Sequence, residues 1–85
     1  MLGHANASLG LEQFPAAETA ASNLIEIYPD NASARAVRAE ARLNLGTLDQ
    51  AMEDIRVAIE QQPDGVEHYV LRGRISEAMR RRDAD

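Results

Sequence analysis

Apolar residues return with a helical period along two stretches of this chain. In "AETAASNLIEIYP" (Ala17–Pro29) they fall at Ala17, Ala21, Leu24 and Ile25. In "AMEDIRVAIEQQP" (Ala51–Pro63) they fall at Ala51, Ile55, Ala58 and Ile59. Both sets have offsets 0, +4, +7 and +8, one stripe of a 3.6-residue helix. Every member of the second set lies 34 residues after its counterpart, as Glu60 does after Glu26 and Pro63 after Pro29. A second element recurs in "LGHANASLG" (2–10), "RAEARLNLG" (38–46) and "RGRISEAMR" (72–80). There a small residue, Gly3, Ala39 or Gly73, is followed six positions later by Leu9, Leu45 or Met79. Gly10 and Gly46 stand where a helix C-terminus favours a left-handed residue. They are 36 residues apart, so two extra residues lie in "LEQFPAA" between Gly10 and Ala17, in an expected loop.

This pattern predicts five helices, at about 1–9, 15–28, 31–45, 48–61 and 64–80. Pro15 fits the first turn of the second helix, where a missing N–H costs nothing. Pro29 and Pro63 fall just beyond helix ends, because proline disfavours α conformation in the residue before it. Asp30 or Asn31, Thr47 and Asp64 are the expected N-caps of the last three helices. Each Pro-Asp-[Asn/Gly] is thus a stop followed at once by a start, and connections this short make consecutive helices antiparallel.

Composition agrees with an all-α reading. Of the 85 residues 45% are hydrophobic but only 4% aromatic, while alanine occurs 15 times. Alanine is the best helix former and lets helix axes approach. A chain this short makes one small domain of modest stability. There is no cysteine, which excludes disulfides and thiolate metal sites. No apolar run reaches the roughly 18–20 residues of a membrane span, and "MLGHANASLG" lacks the features of a signal peptide. The expectation is a chain without membrane contact, with the cytoplasm the favoured compartment. All nine basic residues are Arg. Residues 1–71 hold four of them against eleven acids (−7), and residues 72–85 hold five against three (+2). An acidic body argues against a nucleic-acid partner, which needs a basic face to neutralise phosphates.

The phased set resembles the tetratricopeptide repeat, a 34-residue helix–turn–helix unit. The residues that carry the likeness are Leu2-Gly3, Gly10, Ala17 and Pro29 in a first copy. A second copy has Ala39, Leu45-Gly46, Leu48, Ala51, Ala58 and Pro63, and a third begins with Gly73 and Met79. Arg38 and Arg72 depart from the pattern where Leu is usual, Arg42 and Ser76 where Tyr is frequent, and Arg80 where Gly is common. The stem of an Arg can cover apolar surface while its head stays wet. The resemblance implies an all-α fold, a right-handed α-solenoid fragment built as a stack of antiparallel helix hairpins, in one domain spanning 1–85. Repeat one covers about 1–29 with the loop insertion, repeat two about 30–63, a third first-helix about 64–80, and a tail 81–85. Two and a half repeats suggest a piece of a longer array, or a short domain whose open ends self-associate.

What the resemblance implies about function is a non-catalytic interaction module holding a protein, as an extended peptide or a helix, in a concave groove. The groove residues it implies are Val37, Glu40, Asn44, Leu71, Arg74 and Glu77, together with His4, and with Ala36, Leu43 and Val70 nearby. Val37, Glu40 and Asn44 are spaced i, i+3, i+7 and can share a helix face. The alternatives are a homo-oligomerising scaffold segment and the non-catalytic part of an enzyme whose active domain lies outside this chain. The family's carboxylate clamp for chaperone C-termini is disfavoured. The matching places hold His4, Val37, Glu67 and Leu71, one acid and no Lys.

Candidate chemistry is sparse. His4 and His68 are too few for a metal site and are expected at the surface or on helix flanks. Adjacent helix residues point about 100° apart, so Glu53 and Asp54 do not converge, and with Glu60 they read as a solvated face. No Ser or Thr sits in a recognisable nucleophilic array, no phosphate-type glycine loop occurs, and no cofactor is expected. Arg80-Arg81-Arg82 reads as a helix C-terminus complementing the macrodipole, with docking to an acidic partner or another copy's acidic body as the alternative. Asn6-Ala7-Ser8 and Asn31-Ala32-Ser33 match the glycosylation sequon by chance. Phe14 is expected to plug the gap between the first two helices.

Overall fold

A computed structural model describes the backbone of residues 2–84 and the side chains of residues 13–84. Four helices, α1 (Leu2–Ile27), α2 (Ala32–Leu45), α3 (Leu48–Gln61) and α4 (Val66–Ala84), follow one another, and no strand occurs among the described residues. The chain is all-α, but with four helices rather than the expected five. The difference lies at the start, where α1 runs unbroken through Gly10 and Pro15. The physical reason is the segment between them. "LEQF" is made mostly of helix formers and contains no Ser, Thr, Asp or Asn to start a new helix after Gly10. Pro15 is therefore an interior residue that forfeits one i→i−4 bond, not a first-turn proline, and the expected loop insertion is helical. Phe14 is half-buried on this continuous helix, and the gap it was expected to plug does not exist.

The two Pro-Asp turns form as the sequence predicts, and they form alike. In the first, Tyr28 N–H donates to Leu24 C=O (2.7 Å) and Asn31 N–H to Tyr28 C=O (3.0 Å). In the second, Gln62 N–H donates to Ala58 C=O (2.9 Å) and Gly65 N–H to Gln62 C=O (3.1 Å). Each donor and acceptor of the second turn lies 34 residues after its counterpart. The starts that follow differ. Asn31 caps α2, its Oδ1 accepting from Ala34 N–H at 3.1 Å. Asp64 does not cap α4, which begins two residues later than expected, after Gly65. Thr47 precedes α3, but its hydroxyl donates backward to Arg42 C=O (3.2 Å) instead of capping. Gly46 closes α2 at φ +89°, the left-handed position that disfavours side chains. The tail expected at 81–85 continues α4 through Ala84.

The helices pack in a row in which α1 meets α2, α2 meets α3, α3 meets α4, and α4 also touches α2. The core is small-residue packing around two isoleucines. Ala32, Ala39, Ala51, Ile55, Ala58, Leu71 and Ile75 form one buried cluster, with Leu43, Met52, Ile59 and Met79 against it. Ala39, Ala51 and Ala58 are fully enclosed, which lets α2 and α3 approach closely.

One polar cluster joins three helices. Asp54 on α3, expected on a solvated face, is 2% exposed. Its carboxylate accepts from Arg38 Nε (2.8 Å) and Nη2 (2.7 Å), and from Arg42 Nη1 (2.8 Å), with Arg35 Nη1 3.9 Å away. The same arginines reach α1, where Arg38 Nη1 donates to Ser22 Oγ (3.1 Å) and Arg42 Nε to Glu18 Oε2 (2.8 Å). Their heads are thus largely enclosed, whereas the expectation from the sequence was that they stay wet. The hydrogen bonds to Asp54, ahead of the opposing effect of burial, raise Arg38 above its ordinary pKa. Glu53 and Glu60 do face solvent.

Removing one member of a buried ion cluster strands the others without compensation. Asp54→Ala is therefore expected to lose about 3–5 kcal/mol, measured by urea denaturation. The whole stability of an 85-residue domain is about 4–13 kcal/mol, so the loss is a large share of it. Gly46→Ala, which forces a side chain into the left-handed region, is expected to cost about 1 kcal/mol in the same assay.

Candidate functional site

α4 leans against α2 over a shallow trough. At one end Ala36, Val37 and Glu40 of α2 face Glu67, His68, Val70, Leu71 and Arg74 of α4 across a cavity of about 250 Å³. At the other end Leu43 and Asn44 face Val70, Gly73, Arg74, Glu77, Ala78 and Arg81. Val70 and Arg74 belong to both, so the two depressions adjoin. The six implied groove residues whose side chains are described, Val37, Glu40, Asn44, Leu71, Arg74 and Glu77, line it. His4, expected beside them, lies outside the described side chains.

The trough is apolar below and charged at its rim. Leu71 is buried and forms the floor, while Val37 and Val70 are about half exposed. Arg74 and Glu40 approach to 4.0 Å across the trough with both side chains 55% exposed, a pair too open to water to hold the helices together. Asn44 turns its amide onto Glu40 C=O (2.9 Å). At the far end Arg80 Nη2 donates to both oxygens of Glu77 (2.7 and 2.8 Å). Those bonds, ahead of the nearby Arg charges, hold the Glu77 carboxyl below the usual range and raise the Arg80 guanidinium above its own. Glu77 therefore keeps its charge to lower pH than an unpaired carboxylate does.

His68 was expected at the surface and is 2% exposed. Its imidazole folds back over Gly65, where a Cβ would come within 2.7 Å of Nδ1, and Nδ1 has no hydrogen-bond partner. Only glycine at position 65 leaves that space. Glu67, His68, Gly73, Ala78 and Arg81 also line the trough, although the implied groove set did not include them. His68 lies three residues before Leu71, and that phase could have revealed it. Arg81 fell in the expected tail, although it continues the spacing of Arg74 and Glu77.

The arginine run is divided. Arg80 pairs with Glu77, whereas Arg82 reaches Asp83 (3.2 Å) and Asp49 of α3 (3.7 Å). Asn31 of the second sequon is engaged in its cap, and Asn6 of the first lies outside the described side chains. Among the described residues no group of three or more His, Cys, Asp or Glu is placed to hold a metal ion. No described helix is long and apolar enough to cross a membrane. No family model, curated protein or solved structure matches the chain.

Gly65→Ala is expected to destabilise the fold by about 1–2 kcal/mol through overpacking against the imidazole. The double variant Gly65→Ala/His68→Ala should cost less than the sum of the two single changes. Thermal denaturation of all four proteins measures that coupling.

Proposed function

We propose that this chain is a non-catalytic, tetratricopeptide-like interaction module that holds a peptide or short helix of a protein partner in the trough between α2 and α4. The observation that carries the reading is the convergence of Val37, Glu40, Asn44, Leu71, Arg74 and Glu77 on one continuous depression. The 34-residue identity of the two Pro-Asp turns supports the repeat assignment. The chemistry of the lining supports the kind of ligand. A cavity of about 250 Å³ admits one or two side chains rather than a cofactor. Half-exposed valines over a leucine floor favour an apolar anchor, and charges of both signs at the rim set its register.

The test is a quantitative capture experiment with the full chain and two trough variants, Val37→Asp/Val70→Asp and Glu40→Arg/Arg74→Glu. All four positions are exposed, so circular dichroism should be unchanged. The aspartates are expected to reduce recovery of specific partners at least tenfold, and the charge exchange to change which partners are recovered. The same partners in the same amounts from all three folded proteins would overturn the reading.

A further inference from the structure

A second surface, which adjoins the trough at Gly73, is unfilled by the same register. Counting 34 residues back from α4 gives α2, and counting 34 back from α3 gives the second half of α1. Inside the chain, α2 lays the face carrying Arg35, Arg38, Ala39 and Arg42 on the α3 stripe Ala51, Asp54 and Ala58. The 34-residue counterparts of both faces are exposed, apart from a half-buried Ala17. On α4 they are Tyr69, Arg72, Gly73 and Ser76, all exposed. A Cβ on Gly73 would meet nothing within 4 Å, where its counterpart Ala39 is fully buried. On α1 they are Ala17, Ala20 and Leu24, continued by Ile27, which replaces Gln61. Leu24 is 43% and Ile27 65% exposed, where Ala58 is fully buried.

We propose that these two faces are each other's occupants in neighbouring molecules: the α4 face of one copy packs antiparallel on the α1 stripe of a second copy, as α2 packs on α3 within each. The open faces belong to α1 and α4, the outer elements of the row, so their pairing is head-to-tail and leaves a free face of each kind. Such a heterologous contact propagates instead of stopping at a symmetric dimer. Charge favours this polarity, since residues 72–85 carry +2 and residues 1–71 carry −7. An antiparallel seat places the C-terminal part of α4, with Arg80 and Arg81, beside the Glu18 end of the stripe. Ala20 stands in place of Asp54, so Arg72 meets no buried carboxylate. Its stem lies along the stripe and its head reaches water. The contact therefore lacks the ion cluster of the internal pair and is weaker than it.

Two substitutions on exposed positions separate the faces. Gly73→Glu blocks the α4 face and leaves the α1 stripe intact, and Leu24→Arg does the reverse. In sedimentation velocity the unaltered chain is expected to rise in average mass above 9.3 kDa between about 10 μM and about 1 mM, a range matched to weak association. Each variant alone should stay at 9.3 kDa with unchanged circular dichroism. Their equimolar mixture should form a species of twice that mass and nothing larger, because one intact face of each kind remains. A wild-type chain that stays monomeric throughout overturns the proposal. So does self-association of either folded variant, or a mixture that stays monomeric. The trough variants described above retain both faces and are expected to associate as wild type does. Failure of partner capture and failure of self-association are therefore distinguishable.

Discussion

The carboxylate of Asp54 is the point to which the first three helices are tied. It lies in an alanine-lined interior where an unpaired charge would be prohibitive, so it requires the two arginines that donate three hydrogen bonds to it. Those arginines are themselves committed on their other side to Ser22 and Glu18 of α1. One buried charge on α3 thereby sets how α2 is rotated and how far α1 can slide along it. Small apolar side chains could not do this, because alanine faces offer close approach but little to distinguish one register from the next. A bidentate guanidinium admits one geometry.

The rotation of α2 decides which residues face the trough. With Arg38 and Arg42 turned inward toward α3 and α1, Val37, Glu40 and Asn44 are left on the side toward α4. On α4 the same logic runs through His68, Leu71 and Ile75, which are buried and leave Val70, Arg74 and Glu77 to line the opposite wall. Gly65 matters here because it admits the imidazole of His68 beneath the start of the helix. The trough is a consequence of how two buried polar side chains, an aspartate and a histidine, are accommodated. Its own rim charges contribute little to holding it open, since they are exposed to water.

The repeated 34-residue spacing has an asymmetric outcome. α2 carries three arginines toward α3, whereas α4 carries Tyr69, Arg72 and Ser76 at the same places, with only one arginine among them. Among the described residues the Asp54 cluster therefore occurs once, between the middle helices, and the outer faces carry no buried ion pair. Strength is concentrated at the centre of the row, and the edges are suited to weaker contacts.

Local sequence determined the elements whose signals are short-range. The Pro-Asp turns, the asparagine cap of α2, the left-handed Gly46 and the bounds of α3 all follow from backbone chemistry within four or five residues. The helical period likewise marked Ala51, Ile55 and Ala58 as inward, and the i, i+3, i+7 spacing put Val37, Glu40 and Asn44 on a common face. Tertiary structure decided the rest. Asp54 and Glu53 are adjacent acids on one helix, and nothing local says that one is buried and the other wet. That depends on Arg38 and Arg42, 16 and 12 residues away. His68 is buried because a glycine three residues earlier leaves room for its ring, a matter of packing and not of propensity. Gly10 and Pro15 looked like punctuation, yet α1 passes through both, because a break needs a residue able to start the next helix and none lies between them. Hydrogen bonds that close over four residues can be read along the chain. A buried charge and its partners can be read only once the chain has folded back on itself.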